Sequence, residues 1–277
     1  MSDDAFASFE AKWLAANPEQ AVVAVFLVPD LRRRTAAFGT LVHELQQAAF
    51  AASDPQVSAV KLNWWAQELA DVTNSRHRHP ITRALVDEAT ARRIDPALWT
   101  GLAAGAFAQV DSTPASTQAD TVAALTAFYE PVARLESALL VGAETPSGDA
   151  AALWVGSHRL REVANPAGER AVSLDLLARH QLSRAQLVEA SPQRAALLRD
   201  LLQSLRADIE AALPAAPASS GTRVHSFLDL DRIALALRAD DPSRALAESA
   251  PSRWRSLRFA WREARRATAY AAERRRT

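Results

Sequence analysis

The sequence predicts an all-α fold, one domain of many helices packed as a bundle. Three observations predict it. Apolar residues make up 49% of the 277 residues, only 8 are glycine, and alanine, leucine and arginine, all good helix formers, dominate. Apolar residues recur at helical spacing in segment after segment, and nowhere alternate with period two for long enough to make a strand. Cap-plus-proline pairs, such as Asp54-Pro55 and Ser191-Pro192, punctuate those segments.

Taken in order, Ala5, Phe6, Phe9 and Trp13 mark a first helix, broken at Asn17-Pro18. The apolar run from Ala21 to Val28 ends at Pro29. Asp30 is placed to cap a helix that contains Leu31-Arg32-Arg33-Arg34 and runs to about Phe50. Asp54-Pro55 opens the next, which carries Val57, Val60, Leu62, Trp64, Trp65 and Leu69 and ends near Asn74-Ser75. Pro80 suits the first turn of another, with Ile81, Ala84 and Leu85 inward. Asp95-Pro96 repeats the signal ahead of Leu98, Trp99 and Leu102. After a polar connector from Asp111 to Thr117, Asp120 to Gly142 reads as one long helix with a kink at Pro131. Ser147-Gly148-Asp149 introduces a helix through Val163, stopped by Asn165-Pro166-Ala167-Gly168. Ser183 caps a short helix and Ser191-Pro192 starts a longer one to about Leu213. Pro214 to Thr222 is expected to be a mobile internal loop, not a domain boundary, and segments 223–238 and 242–272 complete a single domain over 1–277.

Bulk properties exclude several classes. Formal charge is zero, with 32 basic and 32 acidic residues, which argues against a nucleic-acid binder. The absence of cysteine removes disulfides, thiolate catalysis and thiolate-bound zinc. Met1-Ser2-Asp3-Asp4 shows no basic or apolar leader, and no apolar run reaches the roughly 18 residues that span a bilayer, so a cytoplasmic location is expected. No Gly-rich phosphate loop, GxSxG elbow or HExxH pair is present.

Several landmarks then follow one another in a telling order: Phe26-Leu27-Val28-Pro29, Arg32-Arg33-Arg34, Leu62-Asn63-Trp64-Trp65-Ala66-Gln67-Glu68-Leu69, and His79-Pro80-Ile81-Thr82-Arg83-Ala84-Leu85. Phe128-Tyr129, Leu160-Arg161-Glu162-Val163 and Asp175-Leu176-Leu177-Ala178-Arg179-His180-Gln181-Leu182-Ser183 continue it. This order, over roughly residues 20 to 185, resembles the squalene/phytoene synthase family. The resemblance implies an isoprenoid-synthase-like bundle around a central apolar cavity, in which two prenyl diphosphates are joined head to head. It also implies magnesium, held by two DxxxD motifs on facing helices. Acids at i and i+4 share a helix face, and magnesium takes hard oxygen ligands.

Carried onto this chain, the first motif falls at Glu44 to Phe50. Gln46 and Phe50 take the aspartate positions, and Gln47 replaces a neighbouring acid. The second falls at His158 to Pro166: Glu162 keeps one acid, Pro166 takes the other position, and His158 stands where the family has asparagine. Independently of any alignment, no two acids in the chain stand four apart, and Glu68 and Asp71 are the only pair three apart. Magnesium is thus expected from the family while its ligands are absent. A branch of the family that includes a mitochondrial complex I assembly factor has also shed these acids, and this sequence looks more like that branch.

Other features carry two readings each. One of Trp64 and Trp65 is expected in the core. Arg32, Arg33 and Arg34 either meet an anion or form a solvated helix start. His77 and His79 are expected on a surface loop. His158, Arg161 and Glu162 form one wall of an anion site or pair with neighbouring helices. From Pro251 to Thr277 there are nine arginines and two glutamates, and Trp254, Leu257 and Trp261 form a stripe at i, i+3 and i+7. With Arg253, Arg255, Arg258 and Arg262, this basic helix meets an anionic membrane, such as the inner face of the cell membrane, or an acidic partner. In the alternative the stripe packs on the bundle, which is the expectation. Three functions follow: a non-condensing family member that binds an isoprenoid-like lipid or serves in assembly; a prenyl transferase with unusual metal ligands; or a peripheral membrane or partner-binding module.

Overall fold

Short polar caps followed by proline set many of the helix starts. Asp54 accepts from the Gln56 amide (2.8 Å), Asp95 from Ala97 (2.9 Å), Ser191 from Arg194 (3.1 Å) and Asp241 from Ser243 (3.0 Å), each just ahead of a proline. The cap satisfies an amide that the helix leaves without a partner, and proline has no such amide to satisfy. The structure is a computed structural model that describes residues 2–51, 54–110, 115–142, 148–165 and 172–274. Its helices are α1 (Ser2–Ala16), α2 (Glu19–Ala24), α3 (Pro29–Gln46), α4 (Pro55–Val72), α5 (Pro80–Leu85), α6 (Glu88–Arg93) and α7 (Pro96–Val110). They continue as α8 (Gln118–Glu136), α9 (Gly148–Ala164), α10 (Leu174–Arg179), α11 (Pro192–Ala212), α12 (Ser220–Ala236), α13 (Pro242–Glu248) and α14 (Arg253–Arg274). No strand occurs among the described residues, so the all-α expectation holds.

Several boundaries differ from the sequence reading. Asp30 is not the cap of α3; Val28 is, with Pro29 in the first turn and Asp30 just inside. That helix does reach Ala51, but its last turn, Gln47–Ala51, is a π turn, and α8 ends the same way at Ser137–Val141. The long helix starts at Gln118, where Thr117 and Asp120 form a reciprocal capping box. Helix α6, capped by Asp87, had no apolar periodicity to announce it. The segment 242–272 is two helices, because Pro251 pushes the residue before it out of the helical region. The connection before α12 is packed: Ala216 and Ala218 are buried, and Arg223 donates to the Leu213 carbonyl at 2.5 Å. Pro166 lies outside the described residues, as do Ser147 and Arg275-Arg276.

Three apolar clusters hold the bundle. One is built from α1, α3, α4, α5, α7 and α8, with Phe38, Leu41, Leu45, Leu62, Trp99 and Phe128 at its centre. A second joins α9, α11 and α13 through Leu153, Leu160, Leu197 and Leu246. A small third cluster fastens α2 to α12 and α14 through Val23, Val224 and Ala260. Helices α7 and α8 pack closely. There a Cβ on Gly105 would stand 2.5 Å from the Ala127 carbonyl oxygen, so only glycine fits. The functional region lies where α3 and α8 of the first cluster meet α9 of the second.

Candidate functional site

Two facing helices and one crossing helix build the site. Gln46 ends α3 and Phe50 sits in its π turn; His158 projects from α9; Tyr129 comes from α8 between them. The Gln46 amide Nε2 donates to the Tyr129 hydroxyl at 3.0 Å. The same hydroxyl lies 2.9 Å from His158 Nδ1. Gln46 uses one acceptor site of that hydroxyl, which leaves its proton to give to Nδ1 in the His158 tautomer that carries the ring proton on Nε2. The Phe50 ring closes the group, 4.3 Å from the His158 ring and 5.8 Å from Phe128. Gln46, Tyr129 and His158 are all buried.

Neither ionisable member is poised for proton transfer near neutrality. Burial first, and then the positive Arg161, drive the His158 imidazole down to about 3. Burial pushes the Tyr129 hydroxyl up beyond its ordinary range, although Arg161 and Gln46 oppose this. The group therefore stays neutral near pH 7, joined through the Tyr129 hydroxyl.

The remaining family-position residues spread around this centre. Glu44, Arg161 and Glu162 are half-buried, and Gln47 is exposed. Arg32 and Arg33 are exposed at the start of α3, where Arg32 donates to the Leu27 carbonyl at 3.2 Å. Arg161 lines the neighbouring cavity; none of the three consecutive arginines does. His79 is not a loop surface residue. Its ring sits 4.9–5.2 Å from those of Phe9, Trp64 and Trp65, and its Nδ1 caps α5 by accepting from Ile81. Of the adjacent tryptophans, Trp65 is buried and Trp64 is 45% exposed.

The cavity adjoins Gln46 and runs between α1, α3, α9 and α12, with His43, Glu136, Trp154, Arg161, Thr222 and His225 among its lining. Its volume is about 50 Å³. Some 10–15 Å³ of such volume holds one water, so it takes a few waters or a small polar group, not a prenyl chain. Glu136 accepts from Thr222 (2.5 Å), Trp154 Nε1 (2.9 Å) and the Ser219 amide (3.2 Å). Burial nonetheless pushes its carboxyl up. Burial also disfavours a charged His225, but Asp229 and Glu19, the latter at 2.8 Å, outweigh it and hold the imidazole above its usual range. Sequence reasoning missed His43, Glu136 and His225. Glu136, a lone acid beside Leu135 and ahead of Ser137-Ala138-Leu139-Leu140, was the one with a readable signal.

Magnesium does not fit the residues present at the family's two metal positions. Gln46 and Phe50 carry no charge, Glu162 is left as a lone acid of the second motif, and His158, in the asparagine position, is a neutral nitrogen ligand where magnesium takes oxygen. Among the described residues there is no group of three or more His, Asp or Glu that could hold a metal ion.

The chain is similar to known proteins as follows. The family model described as squalene/phytoene synthase matches residues 16–156. A crystal structure of a dehydrosqualene synthase in complex with ligand is similar at 13% identity and TM-score 0.70, over 98% of this chain and 98% of that one. A crystal structure of squalene synthase HpnC from Alicyclobacillus acidocaldarius is similar at 14% identity and TM-score 0.63, over 84% of this chain and 93% of that one. These structural likenesses bear on the fold alone. No curated protein matches.

Proposed function

Since the chain belongs to the squalene/phytoene synthase family, we propose that it keeps that family's helical framework without magnesium-dependent joining of prenyl diphosphates, and serves as an assembly-type protein. The observation that carries this reading is the neutral chain Gln46–Tyr129–His158, closed by Phe50, in which Gln46 and Phe50 stand at two of the positions where the family places carboxylates. Joining prenyl diphosphates requires charge neutralisation of a leaving diphosphate, and this group supplies none. The small volume of the adjacent cavity weighs against an isoprenoid chain bound there. The same loss of acids marks the branch with a complex I assembly factor, which the sequence resembles.

The test is ligand-induced stabilisation. A ligand that binds only the folded chain raises its unfolding temperature by mass action, by about 2.7 kcal/mol at a hundredfold excess over Kd. The expected result is no shift with farnesyl thiodiphosphate, with or without magnesium. A magnesium-dependent rise that grows with ligand concentration would return the chain to the condensing enzymes.

A further inference from the structure

The outermost face of α14 is built for contact. Ser256, Ala260 and Glu263 are buried against the body, so the opposite side of this helix points directly away from it. On that side, at i, i+4, i+7 and i+11, stand Trp254, Arg258, Trp261 and Arg265. Trp254 is 80% exposed, Trp261 52% and Leu257 beside them 41%. The stripe expected to pack on the bundle therefore faces outward, and the small residues between its members make the packing face.

The arginines divide by position. Those on the flanks are used by the fold: Arg255 pairs with Asp231 at 3.0 Å, Arg262 lies over the Phe227 ring at 3.8 Å, and Arg266 reaches Glu263 at 3.6 Å. Glu263 in turn binds the buried Arg223 at 2.7 Å. Those on the crest are not. Among the described residues Arg258 has no ion pair, and Arg265 meets only the Trp261 ring, at 5.0 Å. A merely solvated helix face has no reason to alternate two large indoles with cations that pair with no acid.

We propose that this crest docks the protein on an anionic lipid bilayer, with Trp254 and Trp261 at headgroup depth and Arg258 and Arg265 on lipid phosphates. Indole is favoured at the membrane–water boundary, and arginine is drawn to acidic headgroups. Six arginines stand against one glutamate over 253–267, so this helix concentrates positive charge in a chain with no net charge. No helix among the described residues is long and apolar enough to cross a membrane, and the crest would hold the protein at the surface. The proposal is independent of whether the α3–α9 site is catalytic.

The full chain is to be sedimented with vesicles of phosphatidylcholine alone and with vesicles that also contain phosphatidylglycerol. Binding is expected only to the second kind, with a blue shift in indole emission and release by salt. Trp254→Ala/Trp261→Ala and Arg258→Glu/Arg265→Glu should each weaken binding at least about tenfold. All four side chains are exposed, so both variants should keep the native melting temperature. Equal vesicle binding by wild type and either variant overturns the proposal, as does failure of the wild type to bind anionic vesicles. Loss of self-association in these variants without vesicle binding would assign the crest to a second copy of the chain.

Discussion

At the start of α5, one buried carboxylate organises a turn of backbone; between α3 and α9, the Gln46–Tyr129–His158 chain contains none. Glu68 accepts from the amides of Arg78 (2.9 Å) and His79 (2.8 Å) and from the Thr82 hydroxyl (2.5 Å), fixing the entry to α5 from α4. Its charge is answered by the chain's own donors. Paired acids in place of Gln46 and Phe50 are answered in the family by bound cations. Without the cation, facing carboxylates in a buried space repel each other and lose hydration. The Gln46–Tyr129–His158 chain avoids that cost with neutral partners. Backbone obligations persist whatever the protein binds; ligand charges persist only with the ligand.

The largest expected effect comes from reversing the replacement. Gln46→Asp/Phe50→Asp removes an aromatic contact and buries two acids, and should cost about 5 kcal/mol, on the scale of the largest single-site losses. Magnesium should restore none of it. Recovery in magnesium, read from urea midpoints, would mean that the site still accommodates a cation. Glu68→Ala comes next. It strands three donors and should cost about 3 kcal/mol, a fall of roughly 5 °C for a chain this long. A change of a degree or two would show that the latch is dispensable and break the contrast.

Tyr129→Phe should cost about 2 kcal/mol, since Gln46 and His158 both lose their partner. The smallest effect is a pH dependence. His158 has a folded pKa of about 3, below its ordinary 6.5. Its neutral form therefore stabilises the fold fully above 6.5, and that share is lost as pH falls toward 3. The share lost is roughly 1 kcal/mol by pH 5.5. His43 and His79, also lowered by burial, act in the same direction. His225, held up by Asp229 and Glu19, acts oppositely, contributing below 6.5 and losing its share as pH rises. His158→Asn should flatten the acid limb of a plot of melting temperature against pH; an unchanged limb would show that His158 is not neutral in the fold.

The sequence carried the helices well where caps and proline announced them, as at Asp54-Pro55 and Ser191-Pro192. It carried the loss of paired acids through acid spacing alone, and placed that loss at Gln46 and Phe50 through the family resemblance. It could not show that Tyr129 would join Gln46 to His158, because those bonds span 83 and 29 residues. The pairing of His225 with Glu19, 206 residues apart, was hidden for the same reason. The stripe of Trp254, Leu257 and Trp261 was read correctly as a stripe and wrongly as the packing face. Periodicity identifies a face but not what it meets, and Ser256, Ala260 and Glu263, which do pack, are too small or too polar to signal burial.

The most direct test of the central claim is pyrophosphate release. Purified protein is supplied with farnesyl or geranylgeranyl diphosphate and magnesium, and pyrophosphate is followed with time. The account predicts release no faster than in a protein-free control. Release that requires magnesium, stops with a chelator and yields a head-to-head product would contradict it.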